Sequence, residues 1–382
     1  MRILYIYPEL TIKGGADKII IEKANYFATH GYDVIVVTEA QLGRETAFPL
    51  EPSVKHIDMA LDFNKQYKQN FIHRAYTYLS LMFKYKSRLR EVLAQEKPDI
   101  TVTTLGRSID FITDMKDGSI KLGEAHTIKA HLRNFYMMEK RNVVYRWVSI
   151  FMKWRTNRHV SKLNALVLLT KDDADTWTEA SQTFVIPNPL SFYPEEGAKL
   201  NNKQVIMVGR YNDAKGYDYL IPAWAIVHKK HPDWILNVYG SGELHDQIID
   251  WIHERHLGNS IILHEPTIFI MEKYMENSIC VLSSRYEGFS LVIIESMACG
   301  VPVVSFDCPH GPRSIIRNGE DGLLVEYLNS QALADGICQL IEDESLRHKM
   351  GSKSRENIRR YSKENVMNQW DDLFKSLVKS RA

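Results

Sequence analysis

Apolar and polar positions along the chain fall into two alternating kinds of segment. Short apolar runs of strand length are followed by longer stretches whose apolar residues recur at helical spacing. The first run fills residues 1–7, Arg2-Ile3-Leu4-Tyr5-Ile6-Tyr7. A loop, PELTIKGGADK, then predicts a helix from about Asp17 to His30, and Gly31-Tyr32-Asp33 turns the chain into a second run, Val34 to Thr38. This is a doubly wound α/β opening. Further strands are predicted over Pro98 to Thr104, Ile120 to His126, Ala165 to Thr170 and Thr183 to Ile186. Phe63 to Glu96 and Asn134 to Leu163 read as helical, and Lys171 to Ala180 as a short acidic helix.

Pro187-Asn188-Pro189 marks a hinge, and the alternation starts afresh beyond it. Strands are expected at Val205 to Val208, Ile235 to Tyr239, Ile261 to His264, Ile279 to Leu282 and Val301 to Phe306. Between them lie helical stretches from Tyr217 to His231, Leu244 to His256 and Phe289 to Ala298. Gly311 to Ser314 and Asn318 to Gly322 read as turns. Three amphipathic helices follow, over Leu333 to Glu342, Glu344 to Ile358 and Lys363 to Ser380.

A chain of 382 residues rarely keeps one core, so two domains are the natural expectation. Its 45% apolar and 25% charged residues suit a soluble globular protein. The chain opens directly on a strand, which implies no secretory leader, and no apolar run reaches membrane-spanning length. Cys280 and Cys299 fall in apolar runs and read as buried thiols of a reducing compartment. The net charge of +1 hides an asymmetry. Up to Ile186 there are 27 Lys+Arg against 21 Asp+Glu, and from Pro187 on 21 against 26. Within Phe63 to Lys162 the counts are 20 and 8. A nucleic-acid binder would be more basic overall. The first loop has Gly14-Gly15 but no G-x-G-x-x-G, which argues against a dehydrogenase.

The chemistry concentrates in VLSSRYEGFSLVIIESMACGVPVVSFDCPHGPRSIIRNGEDG, Val281 to Gly322. Glu287 stands in a loop and Glu295 eight residues on, inside a helix. The helix start lies between them, so the N–H groups of Phe289, Ser290 and Leu291 can face an anion. Two carboxylates beside a phosphate site suit sugar or ribose hydroxyls and would repel the phosphate itself. Upstream, VGRYNDAKG sets Arg210 and Lys215 after a strand, where two cations can neutralise a diphosphate.

The string SRYEGFSLVIIESMACGVPVV, with its E-x7-E spacing, resembles the signature of the retaining glycosyltransferases of family 4, bacterial members of the glycosyl transferases group 1. VGRYNDAKG resembles that family's G-R-x4-K-G, and Gly240-Ser241-Gly242-Glu243 its G-x-G-x turn. The resemblance is strong from Val205 to Gly322 and weak between Gln41 and Leu163. It departs at Pro189 and at His264 or Glu265, where the family has Gly, and at Ser314, where it has Glu. It implies the GT-B fold: two Rossmann-like doubly wound domains facing across a cleft. The N-terminal acceptor-binding domain would be 1–186 and the donor-binding domain 187–360. A C-terminal helix, 361–382, would pack back on the first.

The resemblance also implies roles. Donor binding falls to Gly15, Gly209, Arg210, Lys215, Glu287, Gly288, Phe289, Ser290, Leu291 and Glu295, with Glu287 on the sugar and Glu295 on the ribose. His264 and Pro266 lie at the base-binding turn, and Gly14, Gly15 and His126 on the acceptor side. His126, Glu287, Arg210 and Lys215 would carry catalysis. His126 also reads as a satisfied loop histidine, and the Gly14-Gly15 loop as a plain turn. No metal or other cofactor is expected, since no D-x-D motif stands in a suitable loop. The implied reaction moves a sugar from a nucleotide-diphosphate donor, UDP-sugar favoured, to a saccharide or lipid-linked acceptor in cell-surface polysaccharide or glycolipid synthesis. A GT-B phosphorylase, a nucleotide-sugar epimerase or a non-catalytic sugar-nucleotide-binding protein are the alternatives. No nucleic-acid partner is expected. Trp147, Phe151, Trp154 and Tyr85 stand among the basic residues and predict a face for anionic membrane. The expected location is the cytoplasm or the inner face of the plasma membrane. Core aromatics beneath solvated cations, or a site for an anionic soluble acceptor, fit the same pattern.

Overall fold

A computed structural model describes residues 1–12, 14–68 and 70–381. The chain forms two units, Met1–Ile186 with Met367–Ala382, and Pro187–Val366. The first begins with β1 (Arg2–Tyr7), α1 (Gly15–Thr29), β2 (Asp33–Thr38), β3 (Lys55–Asp58), α2 (Phe71–Glu96), β4 (Ile100–Thr103) and β5 (Ile120–Glu124). It continues through α3 (Phe135–Glu139), α4 (Val143–Val160), β6 (Ala165–Leu168), α5 (Lys171–Ala174) and β7 (Thr183–Val185). The strands pair in parallel in the order β3-β2-β1-β4-β5-β6-β7. Both faces of β1, β4 and β6 are buried; β1 and β6 accordingly read as apolar runs, while β4 buries Thr101 and Thr103 beside Ile100 and Val102. On one side Leu4, Ile6, Ile35 and Val37 pack with Leu89 and Leu93 of α2. Asn70 caps α2 by accepting from the His73 N–H. The helix stops at Lys97, which is left-handed (φ 46), just before Pro98.

The second unit repeats the plan. It contains β8 (Gln204–Val208), α6 (Tyr217–Lys230), β9 (Ile235–Tyr239), α7 (His245–Glu254), β10 (Ile261–His264) and α8 (Ile270–Met275). Then come β11 (Ile279–Leu282), α9 (Leu291–Ala298), β12 (Val303–Phe306), α10 (Gly311–Ile315) and β13 (Gly322–Val325). Two helices follow, α11 (Ser330–Glu342) and α12 (Glu344–Asn357). The sheet order is β10-β9-β8-β11-β12-β13, again parallel. Trp224, Val227, Leu236, Ile279 and Ile337 belong to its own core. The strand order reverses between β8 and β11, the crevice where doubly wound sheets bind ligands. Gly209 and Arg210 follow β8 and Ser283 to Glu287 follow β11, so the candidate residues sit at that reversal.

The division at the C-terminal end falls inside α13 (Lys363–Lys379), between Val366 and Met367. From Met367 on, this helix belongs to the first unit. Phe374 meets Phe27 edge-on with ring centroids 5.2 Å apart, and Lys23 Nζ lies 3.6 Å from the centroid of the Trp370 ring.

Several elements differ from the sequence expectation. Gly311 to Ile315 is a short helix and not a turn, because proline is compatible with a helix's first turn. Gly322 begins a strand. The acidic helix ends at Ala174, before the poor helix formers Thr176 and Thr178. β3 and α8 were not foreseen: β3 is a half-exposed edge strand whose sequence, KHID, has no apolar run. Tyr85, expected on an outer face, is fully buried and meets Phe111 edge-on at 5.1 Å.

Candidate active site

The loops after β8 and β11 are tied together by polar contacts. Ser283 Oγ donates to the Lys215 carbonyl at 2.8 Å, and the Arg285 N–H to the Ala214 carbonyl at 2.8 Å. The Arg285 guanidinium grips Asp218 at the start of α6, with 2.8 and 2.6 Å contacts. Gly216 makes this approach possible. It has φ +63, and a Cβ there would stand 2.1 Å from the Ser283 carbonyl oxygen.

The clamp brings together two of the expected catalytic residues. Lys215 Nζ lies 2.6 Å from Glu287 Oε1, with side chains 19% and 11% exposed. Ser284 Oγ donates to the same carboxylate oxygen at 2.7 Å. Gly209 lies beneath the Lys215 chain, 3.3 Å from where its own Cβ would be. Arg210 is exposed, and its guanidinium makes no ion pair or hydrogen bond with the described residues. Gly288 and the buried Phe289, edge-on to Tyr361 at 5.3 Å, lead into α9. Ser290 holds the N-cap position without a side-chain capping bond, and Leu291 is the first helical residue. Ser290 Oγ is buried and has no partner among the described residues. An uncapped helix start, in the loop that also carries Glu287 with its Lys215 partner, leaves N–H groups free and is chemically an anion site.

Glu295 takes a different environment. It is 8% exposed on α9, and its charge raises Tyr274, Cys280 and Cys299 after their burial does. The two glutamates therefore face different neighbours. Cys280, Cys299 and Cys308 are pushed up to about 12, chiefly by burial, and none is a reactive thiol near neutral pH. At the edge of the sheet His264 stacks on Tyr239 with centroids 4.4 Å apart, its Nε2 3.0 Å from Asn237 Oδ1. Burial lowers its pKa, so the ring is neutral near pH 7. Pro266 is exposed beyond it.

Two further residues belong here that no sequence signal marked. The Gly311 N–H donates to the Glu287 carbonyl at 3.0 Å, and a Cβ on Gly311 would stand 2.7 Å from Glu287 Cβ. His310, with φ 74 and ψ −81, is the centre of a γ-turn closed from the Gly311 N–H to the Pro309 carbonyl at 3.3 Å. That sense of γ-turn is strained for a non-glycine residue. His310 Nδ1 is buried without a partner among the described residues.

In the first unit, Gly14 is the N-cap of α1 and Gly15 its first residue. Asp17 fixes this loop by accepting from the Tyr7 hydroxyl at 2.8 Å and the Ile12 N–H at 2.9 Å. His126 follows β5. Its Nε2 lies 3.2 Å from Glu124 Oε1, off the line of a good hydrogen bond. Glu124 is 1% exposed and takes Lys23 Nζ at 2.5 Å on both oxygens. Burial raises the Glu124 carboxyl, but Lys23 and His126 outweigh it and hold it down to about 2. Burial pulls Lys23 below its ordinary value against the pull of Glu124.

Among the described residues one trio could hold a metal: His231, Cys338 and Glu342, with ligand atoms within 4.8 Å of one another. It lies past the far end of α6, ~20 Å along the helix from Lys215.

Two parallel doubly wound units, the second with cations, a carboxylate and a free helix start at its strand reversal, define a GT-B fold. Residues 192–357, most of the second unit, match the family described as Glycosyl transferases group 1. The chain is 28% identical to an uncharacterized glycosyltransferase of Haemophilus influenzae, over 94% of this chain and 96% of that one. It is 31% identical to the poly(ribitol-phosphate) alpha-N-acetylglucosaminyltransferase of Staphylococcus aureus, over 57% of this chain and 45% of that one. The chain thus spans under half the length of this second relative. In fold it is similar to S. aureus TarM, solved with fondaparinux, alpha-GlcNAc-glycerol and UDP. That match has TM-score 0.76 and 18% identity, over 98% of this chain and 99% of TarM.

Proposed function

We propose that this protein is a metal-independent retaining glycosyltransferase of family 4. It would move a sugar from a nucleoside-diphosphate donor, UDP-sugar favoured, to a hydroxyl of a saccharide or lipid-linked acceptor in cell-surface polymer synthesis. The observation that carries the reading is the Lys215–Glu287 pair beside the unpartnered Arg210, at the strand reversal of a unit that matches the glycosyltransferase family. Arg210, Lys215, Ser290 and the first N–H groups of α9 receive the diphosphate. Their fixed positive ends favour its departure without reorganisation. Once the diphosphate takes the Lys215 charge, Glu287 is free to accept from sugar hydroxyls. Glu295 holds the ribose, His264 and Pro266 border the base, and His126 is assigned to the transferred sugar. The anomeric C–O bond to the diphosphate breaks and a new one to the acceptor oxygen forms on the same face. The acceptor proton passes to the departing phosphate oxygen.

The test is a panel of nucleotide sugars, without acceptor, assayed for release of nucleoside diphosphate with and without EDTA. Slow hydrolysis of one donor, unchanged by EDTA and giving the retained anomer by proton NMR, is expected. Absence of both binding and hydrolysis across the panel would remove the reading, and loss of turnover with EDTA would remove metal independence.

A further inference from the structure

Helix α4 turns an apolar stripe outward. Val143, Trp147, Ile150, Phe151 and Trp154 recur at helical spacing along one stripe, and all are exposed; Trp147 is 68% and Phe151 and Trp154 56% exposed. Its inward side is largely polar, with Val160 of the last turn joining the core. Ser149 and Thr156 are buried, and Ser149 Oγ donates to the Phe135 carbonyl at 3.1 Å. Arg155 donates to the Asp110 carbonyl at 3.0 Å, and His159 Nδ1 lies 2.7 Å from Thr113 Oγ1. The inward face is thus fastened by specific contacts, and the apolar face is left to water. On α2, Tyr76, Leu79 and Phe83 form a second exposed stripe. Lys162, just past α4, donates to Asp114 at 2.8 Å, and the Asp114 carboxyl is also lowered by the charge of Lys86 on α2. An apolar surface of this extent marks an interaction site.

Cations dominate the charges around it, and the nearby acids Glu139 and Asp114 are taken up by Lys153 at 2.6 Å and Lys162 at 2.8 Å. No acidic residue occurs from 63 to 90 or from 140 to 171. Lys140, Arg141, Arg146 and Arg158 are exposed and make no ion pair with the described residues. Arg141 lies over the Tyr145 ring at 4.5 Å and Arg158 over Trp154 at 5.6 Å, so cations and aromatic rings form one surface. A second copy of this face would set cation against cation. A soluble polyanion would use the arginines and leave the tryptophans in water. An anionic bilayer uses both. We propose that α4, with α2 beside it, seats the first unit on an anionic lipid surface, with the aromatic side chains in the headgroup boundary. The proposal rests on the transfer reading only for its purpose, presenting a membrane-held acceptor, and not for the binding.

The full chain is sedimented with phosphatidylglycerol/phosphatidylcholine vesicles and with pure phosphatidylcholine vesicles. Binding to the anionic vesicles at low salt, a blue shift of tryptophan emission and release at high salt are expected. Trp147→Ser with Phe151→Ser and Trp154→Ser should weaken binding by more than about tenfold. Arg141→Glu with Arg146→Glu and Arg158→Glu should do the same. Both variants should keep the wild-type melting temperature and UDP affinity, which shows that they fold. Absence of sedimentation at low salt, or equal binding by the aromatic variant, overturns the proposal. So does a dimer in light scattering that the aromatic variant abolishes, since the face would then join two copies. Nucleotide-sugar hydrolysis is measured without lipid. A chain that binds vesicles and hydrolyses no donor therefore loses the transfer reading and keeps this one.

Discussion

Lys215 and Glu287 neutralise each other across 72 residues of sequence, so their substitutions should not behave alike. Lys215→Ala removes a charge-assisted contact to the diphosphate, about 1.5–3 kcal/mol, and should weaken UDP binding roughly 10- to 150-fold. Glu287→Gln frees Lys215 from its partner. It should leave UDP binding intact or tighter while weakening the sugar-bearing donor. Isothermal titration with UDP and with UDP-sugar separates the two, and a parallel loss in both variants would falsify the assignment. His126 calls for a different measurement. A contact felt mainly in the transition state should on His126→Ala lower kcat more than it raises donor KM; an unchanged kcat returns it to a packed loop histidine. What the sequence could show at this scale was residue type in a spacing. The G-R-x4-K-G and E-x7-E strings marked Arg210, Lys215 and Glu287, yet no spacing tells that Lys215 and Glu287 touch or that Glu295 turns towards Tyr274. His310 and Gly311 escaped because a positive φ and a Cβ-free approach belong to the backbone, and neither residue type announces them.

At the scale of elements, β5, α1 and α13 meet at the Lys23–Glu124 pair. Both side chains are 1% exposed, and the Trp370 ring covers the ammonium. Removing one partner of a buried pair leaves an uncompensated charge, so Lys23→Met should destabilise the protein by about 3–5 kcal/mol. Lys23→Met with Glu124→Gln should recover part of that in urea unfolding. The pair also sets a pH dependence. Glu124 is held to about 2 in the folded chain, below its ordinary 4.5. Its stabilisation is therefore complete above about pH 4.5 and is lost as pH falls towards 2. A wild-type urea midpoint that falls more steeply below pH 4.5 than that of the double variant is the expected result. Strands buried on both faces were legible because continuous Val, Ile and Leu can be read without partners. The KHID edge strand and the Gly-Pro helix were not, since edge pairing and a proline-started turn of helix are decided by tertiary neighbours. The aromatic spacing of α4 was legible as helical, but which side faces water depends on Asp110, Thr113 and Phe135, which meet it from elsewhere in the chain.

At the scale of the whole molecule, the two units hold separate hydrophobic cores, one around Leu4, Ile35 and Leu166 and the other around Trp224, Leu236 and Ile337. Separate cores favour separate unfolding transitions over a single two-state melt. The candidate donor residues Arg210, Lys215, Glu287 and Ser290 all lie in the second unit, and Lys23, Glu124 and Trp370 in the first. A ligand that binds only the native form stabilises the unit that binds it, by about 2.7 kcal/mol at one hundred times its dissociation constant. Differential scanning calorimetry should therefore resolve two transitions with independent controls. Saturating UDP should raise one of them and leave the other in place, while Lys23→Met should lower the one that UDP does not move. Lys215→Ala should shrink the UDP shift to about half or less without lowering either transition by itself, because its partner Glu287 stays partly solvated and keeps the Ser284 hydroxyl. If UDP raised the transition that Lys23→Met lowers, and that one alone, the nucleotide would be held by the first unit. The donor site argued from the strand reversal between β8 and β11 would then be misplaced.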